Sequence, residues 1–164
     1  MKNSRRVVSA LLCAVMISLL LCACGGSKVR DDVAVSDIAA QVSQSLGKTD
    51  SLVEADGNYI KGFMKTDPEQ FGEYAMLINA YGVNIDEFGI FKAGENMSAA
   101  DIKAVVDSYL QLRLDSWMDE YMPEEKPKLT SAEVKVLGDY VMYCILSDAD
   151  KTTAFAVFED ALTK

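Results

Sequence analysis

Apolar residues recur along the chain at helical or strand spacing, and the changes between these spacings predict the elements of the fold. Ile38, Val42 and Leu46 are spaced by four, which predicts a helix over residues 36–46. The segments EYAMLINAY and NIDEFGIFKA, separated near Gly82, have the composition of strands. The first half of the chain after the N-terminal region therefore predicts a helix and then a strand pair.

Two further helix starts are marked by capping residues. Asp67 followed by Pro68 predicts a short helix, because Asp accepts hydrogen bonds at an N-cap and Pro suits the first helical position. Ser98 with Asp101 resembles a capping box and begins the longest predicted helix, which Pro123 ends. The apolar residues of this helix are Ile102, Val105, Val106, Tyr109, Leu110, Leu114, Trp117 and Tyr121.

The last part of the chain predicts a second strand pair and a closing helix. AEVKVL alternates, YVMYCIL is apolar on both faces like a central strand, and Gly138-Asp139 between them suits a two-residue hairpin. Asp148 or Asp150 begins the final helix, whose inner residues are Phe155, Phe158 and Leu162. This order of elements predicts an α+β domain with a mainly antiparallel four-stranded sheet, built from two hairpin-like pairs, and helices packed on one face.

The N-terminus has the layout of a secretory signal peptide. Lys2, Arg5 and Arg6 precede an uncharged, almost wholly apolar run over residues 7–21. That run is shorter than the ~20 residues that span a bilayer comfortably. The pattern therefore predicts an exported protein whose signal peptide is removed.

The apolar run ends in Leu21-Cys22-Ala23-Cys24, which resembles a bacterial lipobox, with a branched apolar residue three before the last cysteine and a small residue one before it. In proteins with this motif the cysteine sulfur receives a diacylglyceryl group, and a signal peptidase cuts before it. The resemblance implies cleavage between Ala23 and Cys24 and stable anchoring by fatty acyl chains such as palmitate. The resulting parts are a lipoprotein signal peptide (1–23), the lipidated cysteine with a short flexible tether (24–35) and a single globular domain (36–164).

Other interpretations of this segment stay open. An uncleaved transmembrane anchor would end near Cys24, a Cys-X-Cys metal or redox pair lacks partner ligands downstream, and Ser4-Arg5-Arg6 resembles a twin-arginine signal. After cleavage and lipidation, Cys144 would be the one free thiol of the mature chain, so an internal disulfide is excluded. Its place in the apolar run YVMYCIL predicts a small buried hydrophobic residue.

The charge of the chain limits its partners. It has 16 basic and 25 acidic residues and a net charge of −9, and removal of a signal peptide with three basic residues and no acid changes this to −12. So acidic a surface is repelled by nucleic acid and by anionic lipid heads. We therefore expect no nucleic-acid partner and attachment to the membrane through the lipid alone.

Few residues offer catalytic chemistry. The chain contains no histidine, which removes Ser-His and Cys-His nucleophile systems and His-based metal sites, and it has no phosphate-binding loop. Among the carboxylates, the neighbours Asp86 and Glu87 point to opposite faces of a strand and form no pair. Asp115 and Asp119 share a predicted helix face, where a weak divalent-cation site and a solvated acidic face are the two interpretations. We predict no metal site, no cofactor beyond a covalent diacylglycerol on Cys24, and no enzymatic activity.

One candidate surface lies on the long predicted helix. Arg113, Trp117 and Tyr121 follow one another at single-turn spacing within an apolar span wider than one packing face needs. They form either an exposed aromatic-basic patch that binds a partner, or a core position for Trp117 with Arg113 lying across it and its charged head in water.

The chain also resembles a known family. DPEQFGEY, NIDEFGIFKA, the long amphipathic helix and KVLGDYVMYCILSD are similar to the domain of unknown function numbered 4358, over roughly residues 33–161. Members of that family are small predicted lipoproteins, mainly from Gram-positive, clostridia-type bacteria. The resemblance implies a lipoprotein of the cell surface and implies no reaction, because the family has no established activity.

Together these features predict a lipid-anchored protein on the outer, extracellular face of the cytoplasmic membrane. The role they favour is a non-catalytic binding or accessory module that acts near the membrane, beside a membrane-proximal protein. The alternative is a carboxylate-dependent enzyme or a small-ligand receptor at the cell wall, which needs two acids converging in a pocket.

Overall fold

A computed structural model describes residues 29–163, and these residues form an α+β domain, as the sequence predicts. The α-helices are α1 (Val35–Ser45), α2 (Gly57–Phe63), α3 (Ala99–Asp115), α4 (Lys126–Thr130) and α5 (Asp148–Thr163), and a 3-10 helix covers Pro68–Gln70. The strands are β1 (Leu52–Glu54), β2 (Glu73–Asn79), β3 (Glu87–Lys92), β4 (Glu133–Leu137) and β5 (Tyr140–Ile145).

The strands form one open sheet in the order β1-β2-β3-β5-β4, and every neighbouring pair is antiparallel. The prediction of four strands is wrong, because β1 adds a fifth at one edge. This strand is only three residues long, and its pairing of Leu52 with Asn79 and Glu54 with Leu77 depends on β2 rather than on a local pattern. The two predicted strand pairs, β2 with β3 and β4 with β5, are confirmed.

Helices cover both faces of the sheet, so the prediction of helices on one face is wrong. One face carries the first core, in which α1 and α5 pack on residues such as Phe88 and Met142. The other carries the second core, in which α2, α3 and α4 pack on residues such as Phe91 and Tyr143. The physical reason lies in β3 and β5, which are buried along nearly their whole length and therefore need cover on both sides.

Helix α3 begins as predicted and ends early. Ser98 Oγ accepts from the backbone N–H of Asp101 at 3.2 Å, and Asp101 Oδ2 accepts from the N–H of Ser98 at 3.0 Å, which confirms the capping box. The helix ends at Asp115 rather than near Pro123. Ser116 is the C-cap, and both its backbone N–H and its hydroxyl donate to the carbonyl oxygen of Leu112, at 3.0 and 2.7 Å.

Three other local predictions are confirmed. Asp67 caps the 3-10 helix by accepting from the N–H of Glu69, and Gly138, with φ of +59°, turns the chain between β4 and β5. In α5 the predicted inner residues are buried: Phe155, Phe158 and Leu162.

Residues 29–33, which precede α1, pack on the domain. The N–H of Arg30 donates to the carbonyl oxygen of Leu162 at 2.8 Å, and the Tyr140 hydroxyl donates to that of Val33 at 2.7 Å. The side chain of Val29 lies against the hairpin turn at Gly138. Part of the predicted tether is therefore in contact with the end of the sheet where β4 turns into β5.

Candidate functional site

A cleft of about 520 Å³ opens at the end of the sheet opposite to that hairpin. In the register of the sheet, Glu87 pairs with Ile145 at the cleft end, and Lys92 pairs with Tyr140 at the hairpin end. The cleft lies between α2, the last turn of α3, the end of β2 and the start of β3. Its lining includes Tyr59, Phe63, Lys65, Ile78, Ile85, Asp86, Glu87, Leu112, Arg113 and Ser116.

The walls of the cleft are mainly apolar. Tyr59 and Phe63 on α2 contact each other with ring centroids 4.5 Å apart, and Leu112 on α3 is a further wall residue. Phe63 is 48% exposed and Leu112 is 40% exposed, so both present apolar surface at the mouth of the cleft. An apolar wall of this kind binds the apolar part of a ligand by removing it from water.

The floor of the cleft is a buried carboxylate with three donors. The hydroxyls of Tyr109 and Tyr143 donate to Glu87 Oε1 at 2.7 and 2.6 Å, and Arg113 Nη1 donates to Glu87 Oε2 at 2.6 Å. Arg113 Nη1 also donates to the Tyr109 hydroxyl at 2.7 Å. These bonds tie β3, β5 and α3 together around one negative charge, so the floor is held in one geometry.

The electrostatics of the floor keep its donors protonated. Burial, and then the negative charge of Glu87, raise the pKa of both Tyr109 and Tyr143 well above the usual value for a tyrosine. Burial alone would lower the pKa of Arg113, but the charge of Glu87 and the contacts with Glu87 and Tyr109 together outweigh it and raise that pKa. Both tyrosines are therefore neutral hydrogen-bond donors and Arg113 is a cation at neutral pH.

Gly89 makes room for this arrangement. It is two residues after Glu87 on the same face of β3 and pairs directly with Tyr143 on β5. A Cβ atom at position 89 would lie 2.4 Å from Tyr143 Cε1, closer than side-chain atoms approach. The missing side chain thus lets the ring of Tyr143 lie across the strand, where its hydroxyl reaches Glu87.

A second carboxylate fixes the loop that leads into β3. Asp86 Oδ2 accepts from Lys48 Nζ at 2.5 Å and Oδ1 from Lys128 Nζ at 2.8 Å. Burial acts to raise the pKa of Asp86, but the two ammonium groups hold it below its ordinary value. Glu125 Oε2 accepts from the N–H of Ile85 at 3.0 Å, so the loop is held from two sides.

Of the predicted aromatic-basic patch, only Arg113 lines the cleft. Because α3 ends at Asp115, Trp117 and Tyr121 do not continue its face, and the three side chains are not brought together on one helix. Arg113 lies over the ring of Tyr109, 5.7 Å from its centroid. Trp117 is partly buried against the second core, whereas Tyr121 is 58% exposed.

The other predicted residues lie elsewhere or outside the described residues. Asp115 and Asp119 do not share a helix face, because α3 ends at Asp115; Asp115 accepts from Gln111, and Asp119 pairs with Lys126. Within residues 29–163, no three metal-ligating side chains converge. Cys144 is buried, as predicted, and burial raises its pKa.

The lipobox residues Leu21, Cys22, Ala23 and Cys24 lie outside the part of the chain that the structure describes, so cleavage and lipidation stay predictions. Within the described part, none of the helices has the length and apolar character needed to cross a bilayer.

Sequence reasoning missed Glu87 and its tyrosine partners as a site. The available signal was an acid at the start of a strand that is apolar from Phe88 to Phe91, together with a tyrosine in the fully apolar segment YVMYCIL. A buried acid needs partners, but the sequence does not show which residues provide them, because Tyr109 and Tyr143 are far from Glu87 along the chain.

Comparison with known proteins identifies the family. Residues 44–146 match the model of the family described as Domain of unknown function (DUF4358), so the chain belongs to this family and the resemblance found in the sequence is confirmed. The matched region contains the whole sheet, the cleft and the Glu87 floor. No curated protein and no solved structure matches the chain.

Proposed function

We propose that this protein is a lipid-anchored, non-catalytic binding module on the outer face of the cytoplasmic membrane, and that the cleft above Glu87 is its binding site. Cys24 carries the diacylglyceryl anchor in this proposal, and the domain acts on a ligand or neighbour outside the cytoplasm. The observation that carries it is the cleft itself, whose apolar walls surround a rigid charged floor. Cavities of this size and composition are typical of binding sites.

The engagement of the floor residues favours binding over catalysis. The Glu87 carboxylate accepts from three donors, and Asp86 accepts from two lysines, so neither acid is positioned as a free proton acceptor. A general acid–base mechanism needs a carboxylate within reach of the substrate and able to exchange a proton. The contacts of these two acids support a structural and electrostatic role.

The position of the cleft fits an anchored module. Residues 29–33 contact the hairpin end of the sheet, and the cleft opens at the other end. With the anchor at Cys24, the hairpin end faces the bilayer and the cleft faces away from it. Its ligand or partner then approaches from the extracellular side.

Two measurements in cells test this proposal. Metabolic labelling with a palmitate analogue should mark the wild-type protein, and Cys24→Ala should abolish the label. A photo-crosslinking amino acid at position 112, on the cleft rim, should form a reproducible crosslink with a partner or a small ligand.

The matched control places the same crosslinker at position 152, an exposed position of α5 that does not line the cleft. A crosslink at 112 that is absent at 152 supports the cleft as the binding site. An unlabelled wild-type protein would refute the anchor, and equal crosslinking at both positions would refute the site.

A further inference from the structure

We infer that the ligand of the cleft is a small amphipathic carboxylate, with its apolar body between α2 and α3 and its anionic head at Arg113 and Lys65. This inference rests on the proposed binding function of the cleft and adds the chemical class of the ligand. It follows from the difference in exposure between the acidic and the basic side chains that line the cleft.

The acidic side chains of the site are buried, whereas the basic side chains are accessible to a ligand. The side chains of Asp86 and Glu87 are 5% and 3% exposed, whereas that of Arg113 is 21% exposed and Lys65 is an exposed residue. The charge that a ligand meets in the cleft is therefore positive, although the numbers of acidic and basic lining residues are equal. A cationic head would meet acids whose oxygens already accept from lysine, arginine and tyrosine.

Arg113 is prepared to bind an anion. Its Nη1 is occupied by Glu87 and Tyr109, and no bond within residues 29–163 involves its Nε or Nη2. The bonds at Nη1 fix the plane of the guanidinium group, and a carboxylate fits the remaining donors of such a plane. Glu87 and Tyr109 thus act as positioning residues for Arg113.

Lys65 places a second cation at the same cleft. It follows the C-cap of α2 with a φ of +57°, a conformation that glycine usually takes at this point. Its Nζ donates to the carbonyl oxygen of Gly62, which leaves two of the three ammonium hydrogens for a ligand.

The walls define the rest of the ligand. Tyr59, Phe63, Ile78, Ile85 and Leu112 present rings and aliphatic groups to a volume of about 520 Å³. This volume accommodates a single ring or a short chain together with its head group, and the half-exposed Phe63 and Leu112 would become covered when it binds.

Binding of three probes with one body and different heads tests the inference. The probes are 4-phenylbutyrate, 4-phenylbutan-1-ol and 4-phenylbutylamine, and acetate serves as a head without a body. The protein is the chain 25–164, which contains all core residues of the described part of the chain. Calorimetry measures affinity, and the fluorescence of Trp117, the one tryptophan of the chain, reports binding from the residue next to the cleft-lining Ser116.

We expect 4-phenylbutyrate to bind about tenfold or more tightly than the alcohol and the amine, because a charge-assisted contact exceeds a neutral one. Lys65→Gln should weaken carboxylate binding about two- to fivefold, as for a partly solvated ion pair. Lys61→Gln is the matched control, because Lys61 lies on α2 four residues before Lys65 and does not line the cleft. Arg113→Lys should weaken binding about tenfold through loss of the planar donor set.

Equal affinity for the three heads, preference for the amine, or absence of binding by all probes would overturn the inference. The inference would also be overturned if neither Lys65→Gln nor Arg113→Lys weakened the binding of 4-phenylbutyrate. Lys65→Gln changes an exposed residue and keeps the test valid if Arg113→Lys unfolds the domain. A specific crosslink from position 112 in cells, combined with failure of the probes, would leave the binding function standing and exclude only this ligand class.

Discussion

The two faces of the sheet use the same strands for different purposes. On the first core, residues such as Phe88, Ile90 and Met142 pack against α1 and α5, and the packing is apolar. On the second core, the intervening positions of β3 and β5 include Glu87, Gly89 and Tyr143, which form the charged floor of the cleft. Because side chains alternate along a strand, one pair of strands carries both an apolar core and the candidate site.

The difference between the two faces predicts which substitutions change stability alone and which change both stability and binding. A substitution on the first core should reduce the free energy of unfolding and leave the cleft intact. A substitution among the polar groups of the second core should affect both. The four predictions below test this separation, in order of decreasing effect on stability.

Phe158→Ala should cause the largest loss, about 3–5 kcal/mol of the free energy of unfolding, because it removes a fully buried ring and leaves a cavity in the first core. Urea unfolding measures the loss, and Thr152→Ala on the exposed side of α5 is the control. Carboxylate binding by the folded fraction should be unchanged. Lost binding in a folded Phe158→Ala protein would contradict the separation of the two faces.

Glu87→Gln should cost about 2–3 kcal/mol and also weaken carboxylate binding. The amide removes the anion from Arg113, and its NH₂ group cannot accept a hydrogen bond from the guanidinium. Urea unfolding at neutral pH and calorimetry with 4-phenylbutyrate give the two quantities. Glu120→Gln, an exposed acid, is the control. If Glu87→Gln lowers the free energy of unfolding no more than the control does, the hydrogen bonds of Glu87 do not contribute to stability.

Gly89→Ala should cost about 2 kcal/mol, because the new methyl group would overlap the ring of Tyr143 and force it away from Glu87. Gly62→Ala is a sharp control, since a Cβ atom there meets nothing within 4 Å and α2 gains a better helix former. The midpoint temperature of thermal unfolding should fall for Gly89→Ala and rise for Gly62→Ala. A shift in the same direction would remove the steric role assigned to Gly89.

Asp86→Asn should have the smallest effect, about 1–2 kcal/mol at neutral pH, because its lysine partners keep contact with water. The folded-state pKa of Asp86 lies below the ordinary value of 3.8, so its contribution is present above pH 3.8 and is lost as the pH falls through the folded-state value. The stability difference between wild type and Asp86→Asn should therefore shrink below about pH 3.8.

Unfolding measured between pH 3 and 7 checks this prediction, with Asp107→Asn on the exposed side of α3 as the control. A difference that is constant over this range would mean that the lysine contacts do not stabilise ionised Asp86.

The parts of the fold that the sequence predicted have local causes. The capping box of Ser98 and Asp101 and the hairpin at Gly138-Asp139 each depend on residues within one turn of each other. Such signals do not need the rest of the molecule to be known.

The parts that were missed depend on contacts between distant residues. Helix α1 begins one residue before the predicted start, at Val35, whose N–H donates to the distant Glu73 at 2.9 Å. Strand β1 forms because β2 lies beside it and supplies its hydrogen-bond partners. The floor of the cleft likewise needs the register of β3 against β5 before Glu87 and Tyr143 meet. The segment YVMYCIL carried a usable signal, since a strand apolar on both faces requires helices on both faces.

The contact of residues 29–33 with the domain limits how far the cleft can move from the proposed membrane anchor. With the proposed anchor at Cys24, about 5 residues precede the first contact at Val29, which limits the distance from anchor to domain to at most ~18 Å, whereas about 11 tether residues without contacts would allow ~40 Å. The volume that the domain can explore scales with the cube of this reach and is therefore about tenfold smaller. Its effective concentration toward a neighbour fixed in the same membrane rises by the same factor, so even a weak contact there would be occupied much of the time.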